Sequence, residues 1–501
     1  MKDINILWFK RDLRVKDNEA LIESLKDRDI LPIYIVEKEL WKQKTYSDRQ
    51  WQFCKESLID LRNSLKNIGQ PLIIRTGKVI EIFDEISNKF NVKGIYSHQE
   101  TGDSFTYKRD KEVRKWASMN KIIWNEYLQF SVFRGKLDRN NWSKKWKENM
   151  GKKLILEPSN INPIEIDIGE IPPDNFFCFK DDLCIGRLKG GRANGLKRMD
   201  YFFSKKLNSY SKDISSPEKS FDSCSRLSPY ISWGCISLKE IFYKANLIKN
   251  TNSKMLKSRL TWHCHFIQKL ESEPELEFKE FHPYFKKIRK KDNEYLQLWS
   301  EGKTGFPFLD ACMRSLNFNG WLNFRMRAML MSFASYNLWI PWQDSGSVLA
   351  CKFIDYEPGI HWNQCQMQSG TTSININRIY NPIKQGKDHD PKGNFIRNWV
   401  PEIKHYPDNF IHEPWLMENF NASEYSNSEY VKPIIDLSKT TKIARKKIQE
   451  ITQKDGYWDI SKEVYLKHGS RRTSLIKKKN HPKKINIKPK GDLQYELNLE
   501  L

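Results

Sequence analysis

The stretch that decides the fold reads Thr304-Gly-Phe-Pro-Phe-Leu-Asp-Ala-Cys-Met-Arg314 and is followed by Gly320-Trp-Leu-Asn-Phe-Arg-Met-Arg327. A turn containing glycine and proline precedes an apolar run with helical spacing, and a second glycine separates that run from the next. The second run carries two arginines, Arg325 and Arg327, between apolar neighbours. The stretch therefore predicts two consecutive helices, the second of which places cations in largely apolar surroundings.

The first 130 residues alternate apolar runs with amphipathic stretches. The pattern predicts strands at 4–9, 30–36, 71–75, 94–97 and 121–127, and helices at 18–26, 48–66, 78–90 and 107–119. Strands separated by helices indicate parallel βαβ units, so we expect a doubly wound parallel sheet. No GxGxxG follows the first strand, which argues against a dinucleotide site at that point.

The rest of the chain differs in composition from this α/β domain at 1–130. Residues 131–185 lose periodicity and gather proline and asparagine, which predicts a long connector between domains. Residues 186–450 predict a large, almost wholly helical domain. Residues 451–501 are expected to form a basic tail, with nine basic and no acidic residues between 470 and 490. Such a charge run is typical of a solvated tail or of an auxiliary arm on DNA.

Composition narrows the class of protein. A chain of 501 residues is long enough for two or three domains. The net charge of +23 favours a polyanionic partner such as nucleic acid, although a basic proteome would give the same balance. Nine scattered cysteines without a CxxC pair indicate neither a disulfide framework nor a metal site. The amino terminus reads as a strand without a leader, and no apolar run is long enough to span a membrane, so we expect a cytoplasmic protein.

Five motifs in a fixed order resemble those of the photolyase/cryptochrome family. They are the stretch quoted above, Trp8-Phe-Lys-Arg-Asp-Leu-Arg14, Ser225-Arg-Leu-Ser-Pro-Tyr230, Arg378-Ile-Tyr-Asn-Pro382 and Phe395-Ile-Arg-Asn-Trp-Val-Pro-Glu402. The resemblance covers nearly the whole chain except about its last fifty residues. It implies that the helical domain binds FAD and that the α/β domain is of the antenna type.

The resemblance also implies the residues that hold FAD. Serine hydroxyls and free amides at a helix start suit a diphosphate, and Ser225-Arg-Leu-Ser228-Pro offers both. Arg327 matches the arginine that approaches the flavin ring and pairs with Asp355 across it. The implied FAD-binding residues are Tyr210, Ser225, Arg226, Leu227, Ser228, Arg327, Asp355, Glu357 and Asn363.

The loop after Asp355 departs from the family pattern. His361 stands where an asparagine is usual, and a histidine would donate a proton to the flavin only in a suitable protonation state. Cys365 takes the place of the innermost of three electron-relaying tryptophans, whereas Trp342 and Trp299 match the middle and outer ones. The prediction is that Trp362 replaces the missing member or that photoreduction takes another route.

The lesion pocket implied by the resemblance is altered as well. Trp262 matches the tryptophan that stacks on a flipped-out lesion, but Arg259 replaces an acid and Met367 replaces a second stacking tryptophan. The predicted catalytic residues are Trp262, Arg259, Met367 and His361, and no metal is expected. A folate, another flavin or no second chromophore all remain open for the α/β domain.

These observations predict a DNA photolyase, an enzyme that uses light and FAD to repair pyrimidine dimers, with cyclobutane dimers favoured. The expected partner is DNA that contains such dimers, and the protein is expected to act as a monomer. The alternatives are a cryptochrome-type blue-light photoreceptor and an enzyme that repairs (6-4) photoproducts. The altered pocket favours the photoreceptor, whereas the positive charge favours DNA.

Overall fold

The computed structural model describes residues 1–135, 140–177, 179, 184–374, 378–420 and 430–469. The basic segment 470–490 therefore lies outside the described residues. Five strands form one parallel sheet in the order β3-β2-β1-β4-β5: β1 (Asp3–Phe9), β2 (Asp29–Val36), β3 (Ile73–Thr76), β4 (Asn91–His98) and β5 (Ile123–Tyr127). Because β1 lies in the middle and the chain winds outward in both directions, the sheet is doubly wound, as the sequence predicted.

Helices make up most of the remainder. In the α/β domain and the connector these are α1 (Glu19–Ser24), α2 (Lys38–Trp41), α3 (Asp48–Asn67), α4 (Val79–Lys89), α5 (Ser104–Met119) and α6 (Trp142–Met150). The helical domain begins with α7 (Arg192–Tyr201), α8 (Tyr210–Asp213), α9 (Ser220–Ser223), α10 (Ser228–Ser232), α11 (Leu238–Asn246), α12 (Thr251–Ser272), α13 (Asn293–Glu301) and α14 (Pro307–Asn319). It continues with α15 (Phe324–Ser332), α16 (Trp342–Lys352), α17 (Pro358–Ser369), α18 (Pro382–His389), α19 (Asn394–Trp399), α20 (Leu437–Thr452) and α21 (Tyr457–His468).

Local chemistry explains why the decisive stretch forms α14 and α15. Pro307 is the first residue of α14, where its missing amide hydrogen costs nothing, and the Asp310 carboxylate accepts the Thr304 amide at 2.9 Å. Gly320 ends α14 at φ 65°, a left-handed conformation that favours glycine. Asn323 then caps α15, because its side chain accepts the amide of Met326 at 3.0 Å.

The two faces of the sheet have different roles. Ile4, Ile6 and Trp8 point to the side covered by α4 and α5. Leu7 and Phe9 point to the other side, where they join a core that includes residues of both α3 and the helical domain. The α/β domain and the helical domain therefore share one continuous apolar core.

Two segments differ from the sequence prediction. The connector contains a helix, α6, whose Trp142 and Trp146 are buried, and Phe177 stacks on Trp41 with ring centroids 5.4 Å apart. The segment expected to be a tail also contains a helix, α21. Its apolar face, which includes Tyr457, packs on the helical domain and stabilises it. The proline-rich and charge-rich composition of these segments did not predict either helix, because both helices are stabilised by tertiary packing.

Candidate functional site

Asp355 lies between α16 and α17 and accepts three side-chain hydrogen bonds. Arg327 Nη1 donates to Oδ1 at 3.0 Å, Arg327 Nη2 donates to Oδ2 at 2.8 Å, and Ser228 Oγ donates to Oδ2 at 2.6 Å. Asp355 is 4% exposed, whereas the Arg327 side chain keeps 25% of its surface accessible. A bidentate pair of this kind is among the stronger polar interactions in proteins, so it fixes α15 against the start of α17.

The resemblance implied that Arg327 pairs with Asp355 across a bound flavin ring. The ion pair itself is present, and the position of the ring relative to it stays a prediction. The two side chains contact each other directly, and the Arg327 guanidinium lies 4.0 Å from the centroid of the Phe353 ring. A buried carboxylate needs donors close by, and Arg327 is the cation within reach. Only the exposed part of Arg327 can therefore contact a bound ring.

Arg226 is a half-buried cation that forms no ion pair with another described residue. Its backbone is held at φ 50°, and its guanidinium lies 4.0 Å from the centroid of the Phe221 ring and 5.4 Å from that of Trp321. Its Nε and Nη2 atoms have no hydrogen-bond partner within the described part of the chain. Burial and the neighbouring Arg198 charge lower the pKa of Arg226 to about 10. Strained backbone and an unpaired cation together indicate an anionic ligand here, which fits the diphosphate of FAD.

Four other residues implied to bind FAD belong to the same region, namely Ser225, Leu227, Ser228 and Tyr210. Ser225 and Ser228 are half-buried, whereas Leu227, which lies between them in the chain, is buried. Tyr210 is also buried, and its ring lies edge-on to Phe202 at 5.5 Å. Ser225 and Ser228 thus keep part of their surface accessible on either side of Arg226 in the chain, and the Ser228 hydroxyl is bonded to Asp355.

We predict that Arg226→Ala weakens FAD binding by about 10- to 150-fold, since a hydrogen bond to a charged group contributes about 1.5–3 kcal/mol. The dissociation constant is measured by flavin fluorescence on protein freed of cofactor. The cofactor-free variant should unfold at an unchanged or higher temperature, because two buried guanidinium nitrogens that have no hydrogen-bond partner are removed. Arg114→Ala, on the exposed surface of α5, is the control. Unaltered FAD affinity in Arg226→Ala would contradict this role.

His361 is a neutral residue buried between α16 and α17. Its Nε2 donates to the Gly346 carbonyl at 2.9 Å, and its ring lies 5.3 Å from Tyr356 and 4.9 Å from Trp362. Burial, assisted by the nearby Arg327 charge, lowers the pKa of His361 to about 4. With Nε2 protonated, Nδ1 is an acceptor. His361 therefore cannot donate from Nδ1 near neutral pH, and its catalytic role stays a prediction.

Glu357 connects the site to the α/β domain. Its Oε2 atom lies 3.4 Å from Nη1 of Arg11, which belongs to the Trp8–Arg14 motif. Burial raises the pKa of Glu357 to about 7 in spite of the Arg11 charge. The sequence motif did not indicate that Arg11 belongs to the site. Its position just after β1, at the carboxyl edge of the parallel sheet where ligands usually bind, could have indicated it.

Asn363 holds α17 against α12. Its amide nitrogen donates to the Phe266 carbonyl at 3.0 Å and also to the Gly359 carbonyl, and the side chain is 1% exposed. Gly359 contributes to the same contact, because a Cβ there would lie 2.6 Å from Cα of Ile267. The geometry gives Asn363 a positioning role, and direct contact with FAD stays a prediction.

Helix α12 carries the two predicted pocket residues on one accessible face. The guanidinium of Arg259 lies 4.7 Å from the centroid of the Trp262 ring, and both side chains are half-buried. Arg259 also interacts electrostatically with Tyr210 and Cys224, which flank the Ser225–Ser228 segment. Met367 is half-buried on α17, the helix packed against α12. The Trp262 ring, with the Arg259 cation against it, therefore lies on the helix whose Arg259 is near Tyr210 and Cys224.

The predicted relay tryptophans are buried. Trp342 and Trp362 form an edge-to-face pair with ring centroids 5.7 Å apart. Gly346 makes room for this pair, because a Cβ there would lie 2.7 Å from Trp362 and 3.2 Å from Cys365. Trp299 is 0% exposed, and its place as the outer relay member stays a prediction. The contact between Trp342 and Trp362 is compatible with the prediction that Trp362 replaces the tryptophan missing at Cys365.

Comparisons with known proteins agree with this geometry. A model described as the FAD-binding domain of DNA photolyase matches residues 255–450, and one described as DNA photolyase matches residues 5–133. The chain belongs to the photolyase/cryptochrome family. Because the matched helical domain is an FAD-binding domain and Arg226 offers an unpaired cation, FAD is its cofactor.

Photolyases and cryptochromes both occur among the similar proteins. The chain is 27% identical to a cryptochrome DASH of Synechocystis sp., over 89% of this chain and 98% of that protein. It is 27% identical to a deoxyribodipyrimidine photo-lyase of Alkalihalophilus pseudofirmus, over 88% and 97%. It is 26% identical to a (6-4)DNA photolyase of Arabidopsis thaliana, over 89% and 88%. The family is thus defined, and the activity within it is a matter for proposal.

Solved structures show the same fold. A cryptochrome of Synechocystis sp. matches with a TM-score of 0.80 at 24% identity, over 89% of this chain and 99% of the other. An archaeal photolyase from Sulfolobus tokodaii, described with two FAD molecules, matches with a TM-score of 0.75 at 24% identity, over 89% and 100%. In this chain, the described residues include no helix that is both long and apolar enough to cross a membrane.

Proposed function

We propose that this chain is a light-driven DNA repair enzyme that splits cyclobutane pyrimidine dimers. The observation that carries the proposal is the Arg259–Trp262 pair, accessible on α12 beside the segment that fits the FAD diphosphate. A partly accessible indole with a cation beside it suits an unstacked base, and an enzyme that acts on a base must take it out of the duplex.

The protein residues have distinct tasks in this mechanism. FAD held beside Arg226 and the Ser225–Ser228 segment would supply the redox chemistry, since reduced flavin excited by light would lend the dimer an electron and take it back once the cyclobutane bonds have opened. Trp262 stacks on the flipped-out dimer, and Arg259 donates hydrogen bonds to its carbonyl oxygens or to a phosphate. The Arg327–Asp355 pair fixes α15 beside α17, and neutral His361 adds no charge near the site. Met367 provides an apolar wall where a second ring is absent.

The net charge of +23 supports DNA as the partner. Lysines and arginines that neutralise phosphates release counterions, so binding weakens steeply as salt rises. In the dark, the proposal requires a higher affinity for an oligonucleotide that contains one thymine dimer than for the undamaged strand. Equal affinity for the two would favour the second candidate described next.

A cryptochrome-type photoreceptor is the second candidate. The observation in its favour is that Arg259 and Met367 stand where the family resemblance implies an acid and a second tryptophan. A photoreceptor needs FAD and light but no lesion pocket. The distinguishing experiment is therefore the affinity for the lesion, measured separately from flavin photochemistry.

We predict that Trp342→Phe and Trp362→Phe each slow the photoreduction of bound FAD by at least ten-fold. The two rings lie 5.7 Å apart, and phenylalanine keeps the packing but is much harder to oxidise. The rate is followed by the loss of oxidised flavin absorbance under blue light. Trp8→Phe, in the α/β domain, is the control. Wild-type rates in both relay variants would exclude this route.

A further inference from the structure

Two basic segments that are far apart in the chain meet on one surface of the helical domain. Residues 286–292 and 437–454 together hold eleven lysines and arginines but only two acidic residues. The first segment precedes α13, and the second includes the whole of α20. The fold therefore concentrates positive charge on α20 and on the segment that precedes α13.

An apolar cluster joins the two segments. Phe285 is buried against Ala444 and Ile448 of α20, and Ile288 and Trp339 pack at the edge of the same cluster. Trp339 bridges the segments directly, because its Nε1 donates to the Ile288 carbonyl at 2.9 Å and Lys447 Nζ lies 4.4 Å from its ring centroid. The basic side chains of both segments are thus held on the rim of one packed cluster.

Most of these cations form no ion pair with another described residue. Lys291 is paired loosely with Asp344 at 3.9 Å. Within the described ranges, no ion pair is formed by the exposed residues Lys286, Lys287, Lys290, Lys442, Arg445 and Lys446. Like charges that are held close together repel one another, so a bound polyanion stabilises such a surface.

An exposed tryptophan follows a residue of the same apolar cluster. Trp458, the second residue of α21, is 67% exposed, whereas the preceding Tyr457 is buried in the cluster that contains Phe285 and Ala444. The two rings are edge-to-face with centroids 5.2 Å apart, which turns the indole away from the core. Because the Trp458 indole is largely exposed, packing in the core does not explain a tryptophan at this position, whereas stacking on an unpaired base does.

We propose that this surface binds single-stranded nucleic acid. We define the α20 surface as Lys286, Lys287, Lys290, Lys291, Lys442, Arg445, Lys446, Lys447 and Trp458. The cations follow the phosphate backbone while a base stacks on Trp458, the combination that sequence-tolerant single-strand binding uses. The α20 surface is a second contact, separate from the flavin site and independent of the repair proposed above.

The test is binding of a labelled oligothymidylate to the full chain in the dark, followed by fluorescence anisotropy at several salt concentrations. Lys442, Arg445 and Lys446 are changed together to glutamine, and we expect the slope of log affinity against log salt to fall by about 2, or ~0.7 for each contact. Trp458→Ala should weaken binding by about 5- to 150-fold, since one base–aromatic stack contributes about 1–3 kcal/mol.

Matched controls have the same change in charge or ring on other surfaces. Lys42, Lys66 and Lys115 of the α/β domain, all exposed, are changed together to glutamine, and Tyr243→Ala removes a ring that is 56% exposed on α11. Equal effects in the α20 and control variants would overturn the proposal. So would tighter binding to vesicles of anionic phospholipid than to the oligonucleotide. Neither light nor FAD enters the measurement, so a failure of the repair proposal leaves its result intact.

Discussion

Asp355→Asn is expected to lower the free energy of unfolding by about 3 kcal/mol and to abolish the retention of FAD. Removing one partner of a largely buried ion pair leaves the other charge uncompensated, which costs about 3–5 kcal/mol. We expect a cost at the lower end of this range because a quarter of the Arg327 side chain remains accessible to solvent. Urea unfolding measures the stability, and flavin absorbance after gel filtration measures the retention.

Arg314 and Glu402 form the matched control pair. They are bonded at 2.8 Å, but both side chains remain more than 20% exposed. Glu402→Gln should therefore cost no more than about 1 kcal/mol, as expected of a solvent-accessible pair, and should leave FAD bound. A loss in Asp355→Asn no larger than in Glu402→Gln would contradict the structural role assigned to Asp355.

Trp262→Ala is expected to weaken binding to a thymine-dimer oligonucleotide by about 5- to 150-fold, since a base–aromatic stack contributes about 1–3 kcal/mol. The affinity for undamaged duplex should change little, because phosphate contacts determine it. The measurement is competition between damaged and undamaged oligonucleotides. Trp458→Ala is the control and should leave the ratio of the two affinities unchanged. An unchanged ratio in Trp262→Ala would remove Trp262 from the lesion pocket.

Arg259→Glu distinguishes the two tasks of Arg259. The change removes the cation that lies 4.7 Å from the Trp262 ring and places a carboxylate beside the bound strand. We expect the affinity for both damaged and undamaged DNA to fall. A gain in lesion affinity would show instead that the pocket works better with an acid at this position.

The sequence predicted the α/β domain well because its signals are local. Each strand is an apolar run, and each following helix has its own amphipathic pattern, so every strand predicted from 4 to 127 occurs in the sheet. The decisive stretch was equally informative, since Pro307, Gly320 and Asn323 each fix a helix end through local chemistry. Such signals do not depend on distant parts of the chain.

The geometry of the site could not be read in the same way. The hydrogen bond from Ser228 to Asp355, and the pair formed by Arg11 and Glu357, depend on how helices and domains pack. The neutral state of His361 follows from its burial against Gly346, which no spacing reveals. Helix α6 was missed for a related reason, because tertiary contacts stabilise it.

The most direct test of the proposed activity is recovery of intact thymines from an oligonucleotide that carries one cyclobutane dimer. Protein loaded with FAD and fully reduced is illuminated with blue light, and the products are separated by chromatography beside a dark control and a (6-4) substrate. The proposal predicts light-dependent recovery from the cyclobutane substrate that is lost in Trp262→Ala. No recovery from that substrate, with the flavin verified as reduced, would contradict it.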